Sequence, residues 1–201
     1  MNHLIGITGN ICSGKSTVAS VLKRLNAVVV SHDTFLYDAY TNPGCKAEIA
    51  NCLGDAVFVD GSVDRTCLKS YLKEHPEDCK KLWGITDKYT DPVVEKFLQG
   101  NADLVFFECA PLYEKSWDKF CRKVIFCYTS DDLRIRRLME RARKRDGFDL
   151  SEQEAIAVIK QQTMSQEEKM KRADYTVHND GDFESLERQT IALYNQINQK
   201  K

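Results

Sequence analysis

No two cysteines in this 201-residue sequence form a Cys-x-x-Cys pair. The eight cysteines, at 12, 45, 52, 67, 79, 109, 121 and 127, have spacings that suit neither a zinc site nor a disulfide framework. They are expected to be reduced, mostly buried thiols. The four histidines have no metal-ligand partners at workable spacing and are read as structural or surface residues. No apolar run approaches the roughly 20 residues of a membrane span. Residues 1–8 lack the basic start and apolar length of a signal peptide. A cytoplasmic protein without a membrane partner is therefore expected. An excess of positive charge is also missing: 29 Lys and Arg face 30 Asp and Glu, for a net charge of -1. That excludes a global field for nucleic acid, so any positive site must be local. Internal repeats and low-complexity tracts are absent, and nothing specifies an oligomeric state.

What is present reads as alternating strands and helices. Residues 3–8 form a short apolar run, 9–14 a Gly-rich turn, and 16–25 a helix with Val18, Val21, Leu22 and Leu25 on one face. The β-branched run 27–31 predicts a second strand, buried on both faces as in a parallel sheet. Strand, helix, strand at this spacing is a βαβ unit. Further strands are predicted at 104–108, 123–128 and 175–178, and helices at 133–145, 151–162 and 182–196. Between the second and third strands, turns at Asn42-Pro43-Gly44 and Asp60-Gly61 separate amphipathic segments such as 64–72 and 91–98, which predicts a helical insert. The pattern is an α/β fold.

The turn after the first strand carries the chemistry. Gly9-Asn10-Ile11-Cys12-Ser13-Gly14-Lys15-Ser16, followed by Thr17, fits G-x-x-x-x-G-K-[ST] between a predicted strand and helix. Glycines let the backbone approach phosphates, and loop N–H groups with the helix N-terminus attract anions. Lys15 supplies charge to the β- and γ-phosphates, and the Ser16 hydroxyl can ligate Mg²⁺. Nucleotide binding follows, with ATP and Mg²⁺ as the expected cofactors.

Other candidates depend on position. Asp33 lies just beyond the second strand, where ligands bind in open α/β sheets. It is either a base for an attacking hydroxyl or the cap of a helix starting near Thr34. Glu108 ends the third strand after four apolar residues, as an acid that holds Mg²⁺ directly or through water would. The run Arg134, Arg136, Arg137, Arg141, Arg143, Lys144 and Arg145 reads partly as a solvated helix face. Arg141 and Arg145 are the candidates to close over the phosphates. Cys12, inside the loop, either faces the ligand as a reactive thiol or packs beneath it.

With these residues placed, the sequence resembles the dephospho-coenzyme A kinases. Their TGGIGSGKST loop is matched by residues 8–17, and their Asp-Ala-Asp element in part by Ser31-His32-Asp33. Pro43-Gly44, then Asp60, Gly61, Asp64, Arg65 and Leu68, then Pro111-Leu112 with Glu114, follow in family order. Arg145-Asp146-Gly147, Glu167-Glu168-Lys169, Ala173-Asp174, and Asn179 with Gly181 complete the set. The family departs at Ser31, at Tyr37 where it has Arg, at Asp91-Pro92 where it has His-Pro, at Thr163, and at Cys12, usually Gly.

The resemblance implies transfer of the ATP γ-phosphoryl group to the 3′-hydroxyl of dephospho-CoA, the last step of coenzyme A biosynthesis. It implies a P-loop kinase-like α/β/α fold with a five-stranded parallel sheet: core at 1–40, 103–135 and 173–201, acceptor-binding insert at about 41–102, and lid at about 136–172. It places Asp33 as the base and Asn179 near adenine. Tyr37, Arg65 and Glu108 join Asp33 on the substrate side. A GTPase is excluded, because no later Gly has Asp three residues before it and the base-reading motif is absent. Two alternatives stay open: a P-loop kinase for a nucleoside or nucleotide acceptor, and a catalytically silent nucleotide-binding module.

Overall fold

The computed structural model describes residues 3–100 and 103–199. The first strand, β1 (Leu4–Thr8), leads through the phosphate loop into α1 (Lys15–Arg24), and β2 (Val28–Ser31) follows. Next come α2 (His32–Thr41), α3 (Pro43–Leu53), a hairpin of β3 (Phe58–Val59) and β4 (Ser62–Val63), α4 (Arg65–Glu74) and α5 (Asp78–Gln99). The chain returns to the sheet as β5 (Val105–Glu108) and β6 (Lys123–Tyr128). It then forms α6 (Asp131–Arg141), a π-type turn over Ala142–Asp146, α7 (Glu152–Lys160), α8 (Gln166–Arg172), β7 (Tyr175–His178) and α9 (Phe183–Gln199).

The large sheet has strand order β2-β5-β1-β6-β7, and every pairing is parallel. Alternation along the strands sends side chains to two faces. Ile5, Ile7, Phe106, Ile125 and Cys127 pack with Val18 and Leu22 of α1 and Leu186, Leu193 and Ile197 of α9. Leu4, Val105, Phe107 and Val124 pack with Val94 and Leu98 of α5 and with Leu112, Tyr113 and Trp117. The result is three layers, α/β/α. Gly6 sits where a Cβ would come within 2.7 Å of the Leu112 side chain, so the central strand stays close to the loop above it.

A separate cluster unites Ala39, Cys45, Ile49, Leu53, Val57, Leu68, Leu82 and Ile85, giving the helices after β2 a core of their own. A small one, Leu138, Ala155 and Ile159, joins α6 to α7 and reaches Ile11 and Cys12 of the phosphate loop.

Several expectations need correction. The strand expected to be buried on both faces is an edge strand: β2 pairs only with β5, and Val28 is exposed. The segment 91–98 is the end of one 22-residue helix that continues through Pro92. Proline lacks the N–H that would bond four residues back, and the helix tolerates that loss. The helix expected to begin near Thr34 is α2, which starts at His32; α3, α8 and the hairpin were not anticipated. Of the eight free cysteines only Cys45, Cys109 and Cys127 are buried; the others are partly accessible.

Candidate active site

Three strands deliver their carboxyl ends to one place. The register sets Ile7 of β1 level with Glu108 of β5, and Ser31 of β2 level with the same Glu108. The phosphate loop, the start of α2 and Glu108 therefore meet at one edge of the sheet, as the switch-point rule anticipates.

Hydrogen bonds from behind fix the loop. The Ser13 carbonyl accepts from Asn179 Nδ2 at 3.0 Å and from Thr129 Oγ1 at 3.0 Å. Arg134 is buried beneath, donating from Nε to the Ile11 carbonyl at 2.9 Å and from Nη1 to Asp131 at 2.6 Å. The Ile11 N–H donates to Gln162 Oε1 at 3.3 Å, and Asn10 Nδ2 donates to the Met164 carbonyl at 3.1 Å. Gly14 is left-handed at φ 91°, and a Cβ there would lie 2.0 Å from Asn179 Nδ2. Lys15 donates from Nζ to the carbonyls of Gly9 at 2.9 Å and Asn10 at 3.1 Å, which folds its charge over the mouth of the loop. Burial pulls this ammonium below its ordinary 10.5; Lys169 acts in the same direction and Glu108 against it. Ser16 is exposed and Thr17 partly so, both bordering the cleft above.

Asp33 is not the helix cap. Ser31, the departure from the family element, caps α2: its hydroxyl accepts from the Asp33 N–H at 3.4 Å. The Asp33 carboxylate is left exposed in the first turn of α2, free of the capping role. Beside it, His32 stacks near Trp117 with ring centroids 5.5 Å apart and a buried, unpartnered Nε2. Burial pulls His32 below its ordinary 6.5 against the nearby Asp33 and Asp91 carboxylates. One turn after Asp33, Tyr37 lies under the Arg65 guanidinium at 4.5 Å, so two substrate-side candidates from α2 and α4 meet. Asp91 pairs with Lys115 at 2.7 Å.

The arginine run divides by contact. Arg134 and Arg137 are structural: Arg137 donates to Thr129 Oγ1 at 3.2 Å and to the Asn179 carbonyl at 2.9 Å. Arg136, Arg143 and Lys144 are exposed. Arg141 and Arg145 border a cleft of about 380 Å³ with Cys12, Gly14, Ser16 and Thr17. The Arg141 Nε is buried without a partner, and Arg145 Nε donates to Asp146 at 3.1 Å. Reading the sequence missed Lys169, which is 2% exposed and pairs with Glu114 at 2.7 Å while donating to the Ala110 carbonyl at 3.0 Å. Its only signal was its place in the Glu-Glu-Lys element. Among the described residues no group of three or more His, Cys, Asp and Glu side chains is arranged to hold a metal ion. Ser16 and Glu108 offer hard oxygen donors, which suit Mg²⁺ when phosphates and water complete its shell.

The profile of the dephospho-CoA kinase family matches residues 3–185. The chain belongs to the dephospho-CoA kinase family. It is 33% identical to a dephospho-CoA kinase of Geobacillus kaustophilus, over 98% of this chain and 97% of that one. A crystal structure from Thermus thermophilus superposes with a TM-score of 0.70 at 34% identity, covering 96% of each chain. A Campylobacter jejuni dephospho-CoA kinase shares the fold, with a TM-score of 0.64 at 22% identity over 97% of each chain. The family elements distant in sequence make separate contacts: Arg145 and Asn179 line the cleft above the loop, Arg65 meets Tyr37 of α2, and Asp146 ties Arg145 to α4. Where this chain departs from the family, the changes have local roles: Ser31 caps, Tyr37 supports Arg65, and Asp91 anchors Lys115.

Proposed function

We propose that this chain transfers the γ-phosphoryl group of ATP to the 3′-hydroxyl of dephospho-CoA in the cytoplasm. The observation that carries the reading is the meeting of the Lys15 loop with Glu108 at the end of β5 and with the first turn of α2, which bears Asp33. Phosphoryl transfer needs little covalent help from a protein; it needs positioning and compensation of shifting charge. The loop N–H groups and the start of α1 hold the phosphate oxygens, and Lys15 swings from its own loop carbonyls to the β- and γ-oxygens. Mg²⁺ held by Ser16 and Glu108 would neutralise phosphate charge. Asp33, exposed beyond β2, accepts the proton of the acceptor hydroxyl. Arg141 and Arg145, on the proposed lid, face the same cleft and compensate negative charge on the transferring group. Tyr37 and Arg65 lie on the acceptor side of Asp33. No described helix is long and apolar enough to cross a membrane.

An ADP-release assay across dephospho-CoA, adenosine, AMP, uridine and pantothenate tests the reading. Dephospho-CoA should give the highest kcat/KM, and Lys15→Ala should lower kcat by about 10²–10³ with the fold intact. Faster turnover of another acceptor would reassign the substrate. No acceptor-dependent ADP release from any of them would favour a silent nucleotide-binding module.

A further inference from the structure

Phe183 opens α9 with 49% of its surface exposed, and it belongs to none of the hydrophobic clusters that hold the fold together. It borders the cleft above the phosphate loop, and among the described residues lining that cleft it is the only aromatic one. Ser16 and Thr17, which follow the phosphate loop, line this same cleft with Gly181 and Phe183. The ring is held in place from one side: the Arg24 guanidinium lies 5.3 Å from its centroid and is itself tied to Glu187 at 2.6 Å.

The neighbouring polar groups are occupied. Asn179 commits its amide N–H to the Ser13 carbonyl and its backbone carbonyl to Arg137. A base entering this end of the cleft meets an apolar ring at the rim and, on the proposed lid, Arg141 with its unpartnered Nε. Aromatic rings prefer offset or edge-on partners at centroid distances of about 4.5–7 Å. A purine is such a partner, and covering this ring removes apolar surface from water.

We propose that Phe183 is the residue against which the purine of the nucleoside triphosphate stacks, and that it sets the affinity of the donor site for a base-bearing ligand over bare phosphate. The inference rests on the donor reading given above. It adds an aromatic contact for the base, which no other residue described as lining the cleft can supply.

Calorimetric titration with two probes separates the base from the phosphates: MgATP, and Mg-tripolyphosphate, which has no base. Phe183→Ala should weaken MgATP about three- to tenfold, the range of one aromatic stack, and leave tripolyphosphate unchanged. Phe183→Trp should retain MgATP affinity, with indole fluorescence that MgATP quenches and tripolyphosphate does not, measured as the change at that position relative to wild type. Equal MgATP affinity in wild type and Phe183→Ala overturns the stack and leaves the donor site standing. Equal losses for both probes also overturn it, because the ring would then only support the loop. A wild-type chain that binds neither probe overturns the donor reading itself.

Discussion

Lys69 of α4 donates a hydrogen bond to the carboxylate of Asp146, in the turn that follows α6. Arg145 donates to the same oxygen from Nε at 3.1 Å. One buried carboxylate thus ties a helix of the proposed acceptor insert to an arginine that borders the phosphate cleft. Lys73, one turn further along α4, extends the bridge to the Asp149 carbonyl at 2.8 Å. The position of α4 and that of the turn carrying Arg145 are thus linked through a single side chain.

The bridge is sensitive to acid. Burial opposes the Asp146 charge, but the hydrogen bonds from Lys69 and Arg145 outweigh it and hold the carboxyl below its ordinary 3.8. A carboxyl depressed in the folded state stabilises the fold above its unfolded value, and the contribution disappears as pH falls through the folded one. Wild type should exceed Asp146→Asn by about 1–2 kcal/mol at neutral pH. That gap should close as pH drops below 3.8. Urea denaturation of both proteins across this range gives the difference directly. A gap that stays constant into acid would show that the carboxylate charge does not hold the bridge.

Asp33→Asn separates base from scaffold. Ser31 already caps α2, and the Asp33 N–H that it receives belongs to the backbone, so the amide variant should change stability by no more than about 0.5 kcal/mol. Turnover with dephospho-CoA should fall by about 10²–10⁴, the usual contribution of a positioned base. MgATP affinity should hold. Unaltered kcat in the variant would remove Asp33 from the mechanism.

Gly14 should tolerate no side chain. Its φ of 91° disfavours any L residue, and the Asn179 amide fills the space a Cβ would need. Gly14→Ala should lower stability by about 2 kcal/mol or more through strain and displacement of Asn179 from Ser13. Pairing it with Asn179→Ala frees the space but keeps the unfavourable φ, so the double variant should not recover MgATP binding. Thermal melts with and without MgATP measure both effects, and a full recovery would place the cost in the clash alone.

Much of this was readable from sequence because the strands are continuous apolar runs and the phosphate loop is local in sequence. All five strands of the large sheet fell where the runs predicted. The edge position of β2 was not readable, since Val28-Val29-Val30 looks the same with one neighbour or two. The capping role of Ser31 was hidden by the resemblance, which directed attention to the carboxylate missing there. The arginine run did carry a usable signal: Arg134, Arg137, Arg141 and Arg145 recur at helical spacing and face the loop, while Arg136 and Arg143 fall on the other side. Lys169 and Phe183 reach the site only through tertiary packing, from helices that no local pattern ties to it.

Cys12 is placed between its two expected positions, packed on one side and bordering the cleft on the other. Its φ of 59° is left-handed, a conformation that glycine adopts more readily and that fits the glycine usual in the family at this point. The side chain packs against the small cluster of Leu138, Ala155 and Ile159, and it also borders the cleft. Packing restrains the thiol without closing it off, whereas Cys45, Cys109 and Cys127 are buried, and burial pushes Cys127 up to about 12. Partial accessibility on the cleft lets a small reagent reach the Cys12 sulfur where the nucleotide would otherwise cover it. Limited alkylation with peptide mapping should therefore label Cys12 well before Cys45, Cys109 and Cys127, with activity lost in step. MgATP should slow labelling at Cys12 and leave Cys52, away from the cleft, at its original rate. Equal labelling of Cys12 with and without MgATP would mean that the thiol is reached from the side packed on α6 and not through the cleft, and that oxidation there would not report on the nucleotide site.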